Sequence, residues 1–142
     1  MAMNLYFNHI NKKDTKRKTP DDRAKLAGVV NPYIAENITE GFILNYTSMR
    51  DVYPRGKGEF SYTPDGELLT PVSYLQLAEE LLKSWMNSPP HKENIMSKNN
   101  MEMGCGVEIY FDRRLNYMPM VKATQVFQQY EVVKEGSAVD KL

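Results

Sequence analysis

The sequence predicts an α/β domain in which helices pack against an antiparallel sheet. Residues 70–87 have the apolar spacing of an amphipathic helix. Residues 103–111 and 117–127 are rich in strand-forming residues, and only a short polar turn separates them. Strands joined by so short a connection pair antiparallel, and the helix can then cover one face of the sheet.

The composition is that of one soluble globular domain. The chain has 142 residues, of which 42% are hydrophobic and 25% are charged. We expect a single domain over residues 1–130 and a polar tail over residues 131–142. Lysine plus arginine and aspartate plus glutamate each total 18. The chain therefore has no excess positive charge to attract a nucleic-acid backbone, and we expect no nucleic-acid partner.

The single cysteine, Cys105, excludes an internal disulfide. It lies within a predicted strand and has no neighbouring base, so we expect a buried core thiol rather than a nucleophile. No apolar run approaches the roughly 18 residues of a membrane helix, and the first residues lack the order of a signal peptide. As given, the chain is expected to carry no export signal.

Helix-capping residues, glycine and proline predict the helices and strands in the first half of the chain. Residues 2–7 resemble the end of an amphipathic helix whose earlier turns are missing. Thr19 and Pro20 predict the start of a short helix, and Gly28 predicts its end. Residues 31–38 suit a short extended segment. The stretch between residues 41 and 70 is rich in Gly and Pro and predicts a long excursion with a hairpin.

The helix over residues 70–87 is the strongest in the sequence. Thr70-Pro71 predicts its start, and an apolar stripe follows that includes Leu75, Ala78 and Leu82. We expect Trp85, near the end of the stripe, to pack against the sheet. Pro89-Pro90 then stops the helix, because proline lacks an N–H donor and extends the residue before it.

Two histidines, His9 and His91, restrict the possible metal chemistry. Neither lies in a His-Glu-x-x-His helix, no cysteine pair has zinc spacing, and no glycine-rich phosphate loop follows a strand. A metal site would need one or both histidines together with carboxylates.

A larger pattern runs along about residues 5–130. It consists of six pieces in order: Phe7-Asn8-His9, Asp22-Arg23 with Gly28, Glu36-Asn37-Ile38, Trp85-Met86-Asn87-Ser88-Pro89-Pro90-His91-Lys92-Glu93-Asn94-Ile95, Gly104-Cys105-Gly106-Val107 and Thr124-Gln125-Val126-Phe127. This order resembles the bacterial members of the CAP superfamily, which comprises cysteine-rich secretory, antigen 5 and pathogenesis-related proteins. Most of the first helix of that fold is expected to be missing here.

The resemblance implies a fold and a site. The fold is an α-β-α sandwich with a central antiparallel sheet. The site is a cleft lined by His9, Glu36 and His91, while the second acid of many eukaryotic members falls on Ser88. Zinc or another divalent metal sometimes occupies this cleft, and His9 and His91 would be its ligands with Glu36 nearby. The alternative is a hydrogen-bonded polar network that fixes the loops.

Three functions follow from the resemblance. The first is a non-catalytic binding or interaction domain in the cell envelope or outside the cell, whose ligand is a lipid, a cell-wall component or a protein. The second is a metal-dependent hydrolase that uses Glu36 as base. The third is a subunit that forms a homodimer through the apolar surface left by the missing helix.

Overall fold

The structure, a computed structural model, describes residues 7–30, 32–47 and 49–129. The expected helix end before Phe7 and the expected tail after residue 130 lie outside the described residues. The helices of the described part are α1 (Pro20–Leu26), α2 (Tyr74–Met86) and α3 (Pro89–Met96), and the strands are β1 (Ile34–Phe42), β2 (Tyr53–Gly56), β3 (Glu59–Ser61), β4 (Asn100–Asp112) and β5 (Met118–Gln129). In this described part, two short 3₁₀ helices cover Thr15–Arg17 and Arg113–Leu115.

The main sheet has the order β1-β5-β4, and both pairs are antiparallel. The predicted connection between the last two strands is confirmed. Asn116 ends the second 3₁₀ helix with φ of 51°, and asparagine tolerates this left-handed conformation better than most residues. The predicted hairpin between residues 41 and 70 is confirmed as well, by the pairing of β2 with β3.

Side chains on successive residues of a strand point to opposite faces, so Glu36 and Asn37 define two faces of the sheet. Strand pairing places Glu36, Val126 and Gly104 on one face, called the Glu36 face. Helix α1 contacts the sheet on this side, where Arg23 bonds Glu36. The opposite side, called the Asn37 face, carries α2 and α3. The expected α-β-α sandwich is therefore confirmed.

Two apolar cores hold these layers together. On the Asn37 face, Leu77 of α2 packs with Ile43 and with Val121 of β5. The second core lies at the end of the sheet, beneath the β2–β3 hairpin, and contains Leu44, Phe60, Met118 and Met120. The long excursion therefore folds back onto the end of the sheet.

Capping sets the helix starts. Thr19 forms a capping box with Asp22 at the start of α1, as predicted, and Gly28 after the helix has φ of 91°. The predicted start of α2 at Thr70-Pro71 is wrong. Ser73 is the N-cap, because its side chain and that of Gln76 bond each other's backbone N–H groups.

The buried side of α2 also differs from the predicted stripe. Leu75, Ala78 and Leu82 are exposed, although Trp85 is buried as expected. The inward stripe is formed by Leu77, Leu81 and Trp85, which follow one another at intervals of four residues. The helix has apolar residues on two sides, and the sheet covers only one of them.

Cys105 is exposed, and the prediction of a buried thiol is wrong. It lies in β4, an edge strand that is paired on one side only within the described residues. None of the described helices is long and apolar enough to cross a membrane.

Candidate functional site

The predicted site residue Glu36 is the centre of a buried polar cluster. Its side chain is only 2% exposed. Nδ1 of His9 donates to Oε1 at 2.8 Å, and Nη2 of Arg23 donates to Oε2 at 2.8 Å. A buried carboxylate must be paired to be tolerated, and here each oxygen has a partner.

Arg23 connects this carboxylate to the loop that carries His9. Both of its terminal nitrogens donate to the carbonyl of His9 at 3.3 Å. One of them also reaches the carbonyls of Arg17 and Lys18, at 3.2 and 3.5 Å. The planar guanidinium offers five donors in fixed directions, so one side chain can hold α1, the loop and β1 together.

Asn37 ties α3 to the other side of the same strand. It is fully buried, and its Nδ2 donates to the carbonyl of His91 at 3.0 Å and to Oε1 of Gln125 at 3.2 Å. Its Oδ1 accepts from Nδ2 of Asn94 at 2.8 Å. Asn94 therefore ties α3 to the sheet.

The two remaining predicted site residues, His91 and Ser88, lie at the start of α3. Ser88 is the N-cap residue, but its side chain makes no capping hydrogen bond. His91 is half-buried, and within the described residues its imidazole forms no hydrogen bond with His9 or Glu36. The structure thus joins His9 to Glu36 directly and brings the backbone of His91 to the neighbouring residue of β1. Convergence of all three side chains in one cleft stays a prediction.

A cavity of about 530 Å³ lies beside the Glu36 cluster, between α1 and the sheet. Arg23 and Glu36 line one part of it, and most of the other lining residues are small or apolar: Pro20, Ala24, Ala27, Val29, Ile34, Met103, Gly104, Cys105, Gly106 and Val126. A Cβ added at Gly104 or Gly106 would meet no other atom within 4 Å. A concave, largely apolar space with a few polar groups is typical of a small-molecule site.

The metal-binding potential of the cluster can be tested against its contacts. Zinc in proteins usually takes three or four protein ligands. The described residues contain no group of three or more His, Cys, Asp or Glu side chains that could hold a metal. His9 has a half-exposed ring and keeps Nε2 available, but both oxygens of Glu36 are engaged. These contacts favour a polar network and do not form a complete metal site.

A model of the cysteine-rich secretory protein family, CAP, matches residues 23–127. The chain belongs to the CAP family. The match includes Glu36, Ser88 and His91, whereas His9 precedes it and is linked to it by the bond to Glu36. No curated protein and no solved structure matches the chain.

Two residues of this CAP domain have a larger structural role than the sequence indicated. Arg23 and Asn37 both occur in the motif pieces, yet neither was identified as a site residue. A signal was available, because an arginine and an asparagine next to apolar positions must find partners when buried. Their hydrogen-bond partners come from segments far apart in the chain, so these partners could not be predicted from the sequence.

Proposed function

We propose that this CAP domain is a non-catalytic binding domain that works outside the cytoplasm and takes its ligand in the cleft beside His9 and Glu36. The observation that carries the proposal is the cavity of about 530 Å³ next to the buried Glu36 cluster. Its apolar walls suit the hydrocarbon part of a lipid or cell-wall component, and the exposed edge of His9 offers a hydrogen bond at the rim. The family's secretory name supports an extracytoplasmic location.

We include His91 and Ser88 in this cleft. Asn37 holds the backbone of His91 on the face of β1 opposite Glu36. Within the described residues β1 is an edge strand, so the imidazole would reach the Glu36 face around that edge. The unused hydroxyl of Ser88 lies at the same end of α3. Together with His9 and Glu36 they would form a polar rim at the β1 edge of the sheet.

The contacts of Glu36 argue against the hydrolase alternative. A general base must accept a proton from water within hydrogen-bond reach. Both oxygens of Glu36 already accept hydrogen bonds from cationic or ring donors, and only 2% of the side chain is exposed. The arrangement suits a carboxylate that holds its neighbours in place.

A cavity-filling variant tests the binding proposal. Gly104→Leu should place its side chain in the cavity without a clash, because a Cβ there meets nothing within 4 Å. The control is Val107→Leu, which enlarges an exposed side chain of the same strand on the opposite face of the sheet. With a fluorescent fatty acid as probe, we expect Gly104→Leu to weaken binding at least about tenfold and Val107→Leu to leave it unchanged. Equal binding by both variants would refute the proposed cleft.

Zinc calorimetry tests the metal separately. With two imidazoles and one engaged carboxylate, we expect affinity no tighter than about micromolar. Histidine must be neutral to ligate, so affinity should fall between pH 7.5 and pH 5.5. The variants His9→Ala and His91→Ala should each reduce it. Zinc binding that survives both variants and the lower pH would show that the metal binds elsewhere.

A further inference from the structure

Two turns dock against each other at the end of the sheet that is remote from Glu36. The turn between β2 and β3 meets the turn between β4 and β5. The N–H of Gly58 donates to the carbonyl of Asn116 at 3.1 Å, and Nδ2 of Asn116 donates to the carbonyl of Gly56 at 3.0 Å. Met118, next to these turns, lies eight residues along β5 from Val126, the partner of Glu36, which corresponds to roughly 26 Å. Lys122 lies between them, four residues or roughly 13 Å from Val126. We call residues 56–58 and 111–117 the turn corner.

The backbone of the turn corner is tightly specified. Gly58 has φ of 80°, and a Cβ at this position would lie 3.1 Å from the carbonyl oxygen of Tyr117. Asn116 and Tyr117 both have positive φ, of 51° and 60°. Residues other than glycine hold this conformation only where the surroundings impose it. The backbone path of the corner is therefore fixed by contacts between its two turns.

Two hollows open at the turn corner and share Phe111 and Arg113. The first, of about 520 Å³, is lined by Lys57, Phe111, Arg113 and Tyr117. The second, of about 730 Å³, is lined by Phe7, Glu40, Tyr110, Phe111, Asp112, Arg113, Arg114 and Lys122. The linings of the two hollows contain four cationic residues and two acidic ones, in a chain whose formal net charge is zero. The corner is thus a local concentration of positive charge.

Lys122 is the most unusual of these cations, because it is only 6% exposed. Its Nζ lies 4.3 Å from the ring centroid of Tyr110 and 5.9 Å from that of Phe7. Glu40 and Glu108 are its partners on the adjacent strands, but within the described residues neither forms an ion pair or hydrogen bond with it. Although these two carboxylates lie on the same face, no carboxylate of the described residues is within ion-pair distance of Nζ, so an anion in the adjacent hollow could pair with this ammonium.

The other polar groups of the second hollow are already oriented. The hydroxyl of Tyr110 donates to Oε1 of Glu40. Burial and this bond raise the pKa of Tyr110 well above its usual range, so the hydroxyl keeps its proton. Asp112 accepts from Nε and Nη2 of Arg114, at 3.0 and 2.7 Å. Oε2 of Glu40 remains as an acceptor, and the exposed ring of Phe111 supplies an apolar face.

We propose that the turn corner, together with the second hollow around Lys122 and Glu40, binds an acidic saccharide, a sugar that carries carboxylate or phosphate groups. Arg113 and Lys122 would bind the anionic group of the sugar, since guanidinium and ammonium groups both bind carboxylates and phosphates. Glu40 would accept from sugar hydroxyls, and a sugar ring would lie on Phe111. An acidic peptide could donate its backbone N–H groups to Glu40, but it offers no sugar ring to stack on Phe111. A bilayer surface cannot reach a cation as buried as Lys122.

Calorimetry with two probes, pentagalacturonate and glucose 6-phosphate, tests this proposal. The variants are Lys122→Met, which keeps the apolar stem, and Arg113→Gln, which changes an exposed side chain and should not affect folding. Lys92→Gln, on the exposed side of α3, is the matched control. We expect binding of at least one probe, a loss of at least about tenfold in both site variants and no change in the control. Phe111→Ala should weaken saccharide binding while leaving a pentaglutamate peptide unaffected.

Several results would overturn the proposal. One is the absence of binding by both probes, and another is binding that Lys122→Met and Arg113→Gln leave unchanged. Pentaglutamate that binds as tightly as pentagalacturonate would show that the corner recognises charge alone. Arg113-dependent binding to vesicles containing 30% phosphatidylglycerol, without saccharide binding, would identify a membrane contact instead.

Discussion

Strands β5 and β4 lie side by side in one sheet and have similar apolar sequences, but their environments are opposite. In β5 every residue from Met118 to Ala123 is buried. In β4 every residue from Met101 to Val107 is exposed, although Val107 and Cys105 pair directly with the buried residues Ala123 and Gln125. Burial therefore depends on the neighbours of a strand more than on its own residues.

The difference has two physical causes. Strand β5 lies between two strands, and α2 packs on its Asn37 face through the contact of Leu77 with Val121. Among residues 7–30, 32–47 and 49–129, strand β4 has one partner strand, and its apolar side chains Met103, Val107 and Ile109 remain about half or more exposed. Long, exposed apolar edges are rare in soluble proteins because they pair with other chains. The β4 side is the open side of this domain.

The largest effect is expected from Trp85, which belongs to the closed side. Trp85→Ala should reduce the free energy of unfolding by about 3 to 5 kcal/mol, because it leaves a cavity where a large ring is buried. Leu82→Ala, on the exposed side of the same helix, should change it by less than about 1 kcal/mol. Urea denaturation of both variants measures the contrast. An equal loss of unfolding free energy in both variants would mean that Leu82 is packed as tightly as Trp85.

A smaller loss is expected from the polar link between β1 and α3. Asn37→Ala removes three hydrogen bonds and leaves buried partners such as Gln125 unsatisfied. The expected cost is at least about 2 kcal/mol. Cys105→Ala, at the position of β4 in register with Gln125 and Asn37, should cost almost nothing. Similar melting midpoints for the two variants would contradict the comparison.

The smallest effect concerns Asp112, at the end of β4. The side chain of Arg114 bonds its carboxylate and holds the pKa of Asp112 below its usual value, with a further contribution from the backbone N–H of Arg114. A carboxyl with a lowered folded-state pKa stabilises the fold above its unfolded value of about 3.9 and loses this contribution as pH falls through the folded value. Asp112→Asn should therefore be less stable than the wild type at pH 7, and the difference should shrink below about pH 4. A difference that stays constant from pH 7 to pH 3 would exclude this ion pair as its source.

The sequence predicted those elements that local chemistry determines. The capping box of Thr19, the left-handed Gly28 and the hairpin of β4 and β5 follow from neighbouring residues. The six motif pieces also identified the family, and with it the sandwich fold. The inward side of α2, the exposure of Cys105 and the role of Arg23 were missed or wrong, because each depends on which distant segment packs there.

The open side leads to a prediction about assembly. Apolar residues of β4, including Met103 and Val107, lie on the Asn37 face of the sheet. Leu75 and Leu82 are exposed on the outer side of α2, which packs on that face. A second copy could cover this surface, so we expect dimers or poor solubility at high protein concentration. Light scattering across a dilution series measures this. A stable monomer at millimolar concentration would exclude the homodimer.

The reactivity of Cys105 tests the contrast between the two strands most directly. It is the only cysteine of the chain, so a thiol reagent such as Ellman's reagent reports on β4 alone. The comparison is Ala123→Cys in a Cys105→Ala background, which places the thiol on β5 at a position that is 1% exposed. In dilute, monomeric protein we expect Cys105 to react as fast as in urea-unfolded protein, and the thiol at position 123 to react only on unfolding. Protection of Cys105 equal to that of position 123, in a verified monomer, would contradict the open β4 side.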